Sequence, residues 1–297
     1  MQSMNQNKYN MAKRNICFYT LQFINGEEVL PIKDILQPLT NYIVALERVD
    51  RKLDMIDEKF GYVENSTFIE EGRLCQMLLK SAKHSYRAPL VDKNTMGERP
   101  NPKTMNEGEL SKTHLMMKFV DGDAIVAFET GRNLFPIKMF VNYLNLFLEK
   151  YKSQNDHISE GHFEYQKILR DDFREILDNM QRVKIATVYM PKQYLGSDAL
   201  NFSEQIEDVR EEIELTLKSK RCKNIKVMIY DLLRGNNQIH GISRIKVEGE
   251  LPNGNANFID TDSFMRKETI EVSQDTDTGE YHTEESFTQL KLLLNSF

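Results

Sequence analysis

The chain has 297 residues, with 39 Lys and Arg against 45 Asp and Glu, a formal charge of −6. Hydrophobic residues make up 40% and charged residues 28%, which excludes a chain disordered throughout and suits one large domain or two of about 150 residues. No stretch approaches the roughly 18 uncharged apolar residues of a membrane span, and residues 1–10 lack the apolar core of a secretion signal. Cys17, Cys75 and Cys222 are an odd number without a C-x-x-C pair, which supports neither a disulfide framework nor a zinc site, so a reducing cytoplasm is the expected address.

Residues 1–14 are read as a disordered N-terminus. Asn15–Ile24 is rich in β-branched and aromatic residues and closes on Asn25-Gly26, as a buried strand ending in a turn does. Pro31 opens a helix towards Val49, with Pro38 placed to break or kink it. Residues 50–72 are charged and carry no clear period. Arg73–Ala82 reads as a strand, and residues 84–113, with Pro89, Pro100, Pro102, Gly97 and Gly108, as a long loop.

The clearest local signal is Asp121-Gly122-Asp123 between two apolar runs, His114–Val120 and Ala124–Phe128. Glycine takes positive φ without steric cost, so this is a hairpin sequence. Pro136 then starts a helix whose Ile137, Phe140, Val141, Leu144, Leu148 and Tyr151 form one apolar face. The polar stretch Ser153–Gly161 is the expected domain boundary, dividing an N-terminal lobe (15–152) from a C-terminal lobe (163–297).

In the second half, Leu169, Phe173, Ile176 and Met180 predict a helix and Lys184–Tyr189 a strand. A third helix is expected from an N-cap at Ser203 through Ile206, Val209, Ile213 and Leu217. Asn224–Asp231 alternates as a strand would. Ile245–Leu251 and Phe264–Val272 are expected as strands joined by the turn Pro252–Asn255, and Glu284–Leu294 as a closing amphipathic helix with acids in its first turn. Helices and strands are mixed without β-α alternation. The expected fold class is therefore α+β, two sheet-and-helix subdomains with mixed or antiparallel sheets.

Charge is unevenly distributed. Residues 248–297 carry eleven acids against three bases, a net of −8, which leaves +2 for residues 1–247. Lys80–Lys112 carries seven bases and four acids. A flexible basic loop beside an aromatic can contact phosphates, which need charge and donors but no fixed geometry. Its candidate DNA contacts are Lys80, Lys83, His84, Arg87, Arg99 and Lys103, with Arg132 nearby. A second cluster, Lys218, Lys220, Arg221 and Lys223 with Lys226 beyond, is placed at a helix C-terminus entering the next strand, where the dipole also favours cations.

Reactive constellations are few. The chain has no G-x-S-x-G, phosphate loop, G-x-G-x-x-G or H-E-x-x-H, which excludes those superfamilies. His157 and His162 are five apart, off the i, i+4 step of a helical metal pair. The hairpin accounts for Asp121 and Asp123. Glu248, Glu250, Asp260 and Asp262, with Lys267 beyond, are the carboxylates from which a metal-dependent nuclease would have to be built. Cys17 and Cys222 read as buried small hydrophobes. No cofactor is indicated, and the balance favours a non-enzymatic protein.

The passage Phe119–Phe128 with the following helix resembles the central segment of RexA-type phage-exclusion (abortive infection) proteins. The chain's end is similar as well: a strand ending Glu248-Gly-Glu250, a turn at Asn253-Gly254, then Met265–Val272 and the last helix. The resemblance implies a cytoplasmic, prophage-associated antiviral-defence protein, a homodimer that binds double-stranded DNA with little sequence preference as a sensor. It also implies a small membrane effector as partner. Two other readings remain open: a metal-dependent nuclease of a defence system, and a protein-interaction module whose acidic C-terminal lobe docks a basic partner.

Overall fold

The computed structural model describes residues 9–26, 28–155, 160–191, 212–234 and 242–297. The chain forms two units, one made of the residues up to Cys17, Leu21–Phe163 and Lys267–Phe297, the other of Phe18–Thr20 and Glu164–Arg266. The sheets are antiparallel and the fold is α+β. The acidic C-terminal segment is not one lobe: residues 267–297 belong with the N-terminal unit.

The first unit is built on an antiparallel sheet. Its strands are β1 (Tyr9–Asn25), β2 (Glu28–Leu30), β3 (Leu53–Met55), β4 (Lys59–Ile69) and β5 (Leu74–Lys83), then β8 (Glu109–Val120), β9 (Asp123–Thr130) and β15 (Lys267–Asp275). The order is β1-β9-β8-β5-β4-β3, with β15 and β2 also paired to β1. β1 begins at Tyr9, and Tyr9–Cys17 pairs with Asp275–Lys267, so residues 9–14 are strand rather than disordered tail. The β8–β9 hairpin turns through Asp121 (φ 49°) and Gly122 (φ 93°), two consecutive left-handed residues that match the twist of the strands.

Helices α1 (Ile32–Ala45) and α2 (Ile137–Lys152) cover one sheet face. α1 continues through Pro38 and buries Ile32, Leu36, Leu39 and Ile43. α2 buries Phe140, Tyr143, Leu144 and Phe147, and the Tyr143 hydroxyl accepts from the backbone of Val63 on β4. On the other face lies the closing helix, Thr283–Leu294 (called α5 below), where Lys118 Nζ reaches the chain-end carbonyl of Phe297.

Under that closing helix is a buried polar network. Glu129 of β9 accepts from the backbone N and from Nδ1 of His114 on β8, both at 2.8 Å, and is ion-paired to Arg14 of β1. His114 Nε2 lies 3.2 Å from the Thr283 hydroxyl, and Arg14 stacks 3.9 Å from the Tyr281 ring centre. Both His114 and Glu129 are buried. Burial alone would raise the Glu129 pKa, but the bonds from His114 and the charge of Arg14 hold it below its ordinary range.

The short strands β6 (Leu90–Val91) and β7 (Glu98–Arg99) form a separate two-stranded ribbon inside residues 84–108. β10 (His162–Lys167) carries the chain into the second unit. That unit has α3 (Asp171–Asn179), β11 (Arg182–Pro191), β12 (Glu212–Lys218), α4 (Lys226–Arg234), β13 (Arg244–Glu250) and β14 (Ala256–Asp260), with sheet order β12-β11-β13-β14. Its core is Phe173, Leu177, Val183, Val188, Ile229, Val247 and Ile259.

Three expectations fail here. Ile213 and Leu217, expected on a helix, lie on β12, because a four-residue step keeps one face of a strand as well as one face of a helix. Ser203, Ile206 and Val209 fall outside the described residues. Asn224–Asp231, expected as a strand, forms α4 instead: Ile225, Met228, Ile229, Leu232 and Leu233 pack into the core while Val227 faces solvent, and the Asn224 carboxamide accepts from the Lys226 N–H. The turn Pro252–Asn255 joins β13 to the unforeseen β14, not to β15.

Removing the Glu129 carboxylate strands two buried partners, so Glu129→Ala should lower unfolding free energy by about 3–5 kcal/mol in denaturant titration, and Glu129→Gln by less. A depressed carboxyl contributes stability above its ordinary pKa of 4.5 and loses it as pH falls through the lower native value. The wild-type advantage over Glu129→Gln should therefore be full at neutral pH, begin to shrink near pH 4.5 and be lost as pH falls through the lower native value.

Candidate nucleic-acid interface

The cations expected to contact DNA divide between the units. Lys80, Lys83, His84, Arg87, Arg99, Lys103 and Arg132 are in the first; Lys218, Lys220, Arg221 and Lys223 are in the second. Within the first unit the pleat sorts them further. β5 faces alternate, so Lys80 points to the face of α5 and Lys83 to the face of α2.

On the α5 side the cations are neutralised. Lys80, directly across from Tyr62 on β4 and Lys112 on β8, is only 16% exposed and binds Glu64 at 3.0 Å. Arg48 shares the same carboxylate at 2.6 Å, and Lys112 binds Glu280 at 2.8 Å. Lys80 is therefore a structural cation rather than a free phosphate contact.

The α2 side differs. Lys83 stands directly opposite Lys59 at the open end of the β4–β5 pair. Like charges in that register repel; on its other side Lys83 stands opposite Glu109 of β8, but among the described residues neither lysine has a carboxylate within ion-pair distance. Lys59 Nζ lies 3.5 Å from the Arg132 carbonyl, and the Ser81 hydroxyl donates to the Asn133 carbonyl, so the β9–α2 connection closes over this end of the sheet. The result is a cleft of about 110 Å³ lined by Lys59, Lys83, Lys103, Tyr86, Ser81, Ser111 and Asn133, with Glu109 its single acid. Lys103 pairs with that acid at 3.5 Å and is 15% exposed.

Residues 84–108 are ordered by their own bonds: Ser85 N donates to the Met105 carbonyl, Arg87 to the Lys103 carbonyl, and Thr104 N to the Glu107 carboxylate. His84 Nδ1 is engaged by the Ser85 hydroxyl at 2.6 Å. Arg87 and Arg99 line a neighbouring hollow with Pro89, Glu98, Pro100 and Asn101. Arg87, Arg99 and Arg132 are exposed, and each lacks an ion pair among the described residues. Phosphate oxygens are recognised by such donors and charges.

In the second unit the placement at a helix C-terminus is corrected. Lys218 ends β12, and Lys220, Arg221 and Lys223 form the turn entering α4. These cations precede a helix N-terminus, where the dipole is already positive and disfavours them. Arg182 clamps the turn by donating to the Lys220 and Lys223 carbonyls. Cys222 is exposed in this turn, not buried; Cys75 is buried, which pushes its thiol up to about 12.

Three of the four carboxylates considered for a nuclease, Glu250, Asp260 and Asp262, are engaged. Arg244 binds Asp260 in bidentate fashion and lies 3.4 Å from Asp262; Lys167 also binds Asp262, and Lys184 binds Glu250. Asp260 is held below its usual range chiefly by Arg244. Among the described residues no group of three His, Cys, Asp or Glu is arranged to hold a metal ion, and no helix is long and apolar enough to cross a membrane. Lys59 was hidden to sequence reading, since only the strand register places it against Lys83. Compared with known families and with curated proteins, the chain matches no family model and no curated sequence.

The return of residues 84–108 to the sheet depends on Gly108, where an added Cβ would sit 2.4 Å from the Lys83 carbonyl oxygen. Gly108→Ala should cost about 1–3 kcal/mol in thermal unfolding. It should also speed proteolysis within residues 84–108, read by mass spectrometry.

Proposed function

We propose that this protein binds duplex DNA with little sequence preference through the phosphate backbone, and serves as a cytoplasmic sensor in antiphage defence. The observation that carries the reading is the unneutralised cation group at one end of the first unit's sheet, with Lys59 and Lys83 face to face and Arg87, Arg99 and Arg132 beside them. On the opposite face of the same strands, Lys80 and Lys112 are matched with carboxylates. A polyanion supplies the missing negative charge, and phosphates demand no base-specific geometry. The cationic turn Lys218–Lys223 adds a second phosphate contact, consistent with its position before α4. The resemblance to RexA-type proteins supplies the defence setting, the homodimer and the small membrane effector as parts of the proposal.

Part of the C-terminal acidity is ion-paired within the protein: Glu280 to Lys112, Asp260 to Arg244 and, at 4.0 Å, Glu271 to Lys13.

Titrating labelled duplexes at rising salt tests this reading. Log affinity should fall linearly with log salt, unrelated duplexes should bind alike, and Lys59→Gln with Lys83→Gln should flatten the slope by about two. Absence of binding at low salt, or a slope indifferent to these residues, overturns it.

A further inference from the structure

The β6–β7 ribbon exposes apolar side chains at a rigid tip. Leu90 is 37%, Val91 58% and Met96 73% exposed. The tip is not a loose loop. Asp92 N donates to the Gly97 carbonyl and Met96 N to the Asp92 carbonyl, at 2.9 and 2.8 Å. The Asp92 carboxylate turns inward, accepting from Asn94 N, Thr95 N and the Thr95 hydroxyl within 3.0 Å. Those bonds hold its pKa below the usual range, so it stays an anion that fixes the turn.

Met96 has a left-handed φ of 56°, uncommon for an unbranched apolar residue that asparagine or glycine would replace at less cost. Around the tip stand Arg87, Lys93 and Arg99, none ion-paired among the described residues. An apolar point with three cations against two acids, Asp92 and Glu98, on a ribbon only two strands wide, matches a groove bordered by phosphates and floored by stacked bases. Proteins that kink duplexes use such points, inserting Met, Leu or Ile between base pairs while Arg and Lys hold the backbone.

We propose that the β6–β7 ribbon is a wedge that enters the minor groove and partly unstacks one base step, Met96 leading and Arg87, Lys93 and Arg99 contacting the flanking phosphates. The inference rests on the duplex-binding reading and adds deformation of the DNA to it. Flexible pyrimidine–purine steps resist unstacking least, so the wedge should favour a central TA step modestly over an A-tract.

The test uses the full chain and a duplex labelled at its two ends with a fluorescence donor and acceptor. Binding should shorten the end-to-end distance and raise energy transfer. The double variant Val91→Thr, Met96→Asn suits the same backbone and should bind within about tenfold of wild type yet lose the rise in transfer. Wild-type binding without a rise, or a rise that survives in the variant, overturns the wedge and leaves duplex binding standing. No wild-type binding at low salt overturns both. Binding to vesicles containing phosphatidylserine that needs Val91 and Met96, with no change in the duplex, assigns the tip to a membrane surface and overturns the wedge.

Discussion

Two lysines facing each other across antiparallel strands are the feature on which the rest of this account depends. Lys59 and Lys83 occupy one cross-strand pair, and a like-charge pair of this kind costs on the order of 0.2–1 kcal/mol. Every other cation on the neighbouring strands of that sheet end has a local remedy: Lys80 and Arg48 share Glu64, Lys112 has Glu280, and Lys103 has Glu109. A pair held in repulsion beside a cleft concentrates positive potential where an anion can reach it, and low-dielectric walls focus it further.

The fold makes this separation through the pleat and through the route of the chain. Alternate residues of β5 face opposite layers, so Lys80 and Lys83, three apart, acquire opposite fates. The C-terminal segment crosses back to pair β15 with β1 and to lay α5 on the far face, delivering Glu280 and Glu271 to cations on its own unit. The buried Arg14–Glu129–His114 network ties β1, β9 and β8 together and meets the first residue of α5. An acidic end that looks adverse to DNA in the sequence is thus in part an internal counter-charge.

The sequence made much of the fold legible where pattern and chemistry agree. The Asp121-Gly122 turn with its flanking strands, α2 behind Pro136 and α5 were readable because a turn residue or helix signal bounded a clear apolar period. Two of the failures share one cause. Ile213 and Leu217 fit a helical step and a strand face equally, and Ile225, Val227 and Ile229 alternate yet fold as a helix whose Asn224 satisfies the Lys226 N–H. Of the site, Lys83, Arg87, Arg99, Lys103 and Arg132 were visible as a basic run, but composition could not say that Lys80 is consumed by Glu64 or that Lys59 completes the cleft. Those facts live in strand register. The ribbon tip was read only as part of a long loop, since two-residue strands carry no period.

Lysine-selective acetylation with and without a bound duplex, read residue by residue by mass spectrometry, tests the central claim most directly. The account predicts that Lys59 and Lys83 lose reactivity in the complex while Lys52, ion-paired to Asp54 on the neighbouring β3, and Lys13, beside Glu271, keep theirs. Unchanged reactivity at Lys59 and Lys83 in a saturated complex, with protection confined to Lys218, Lys220 and Lys223, would contradict it.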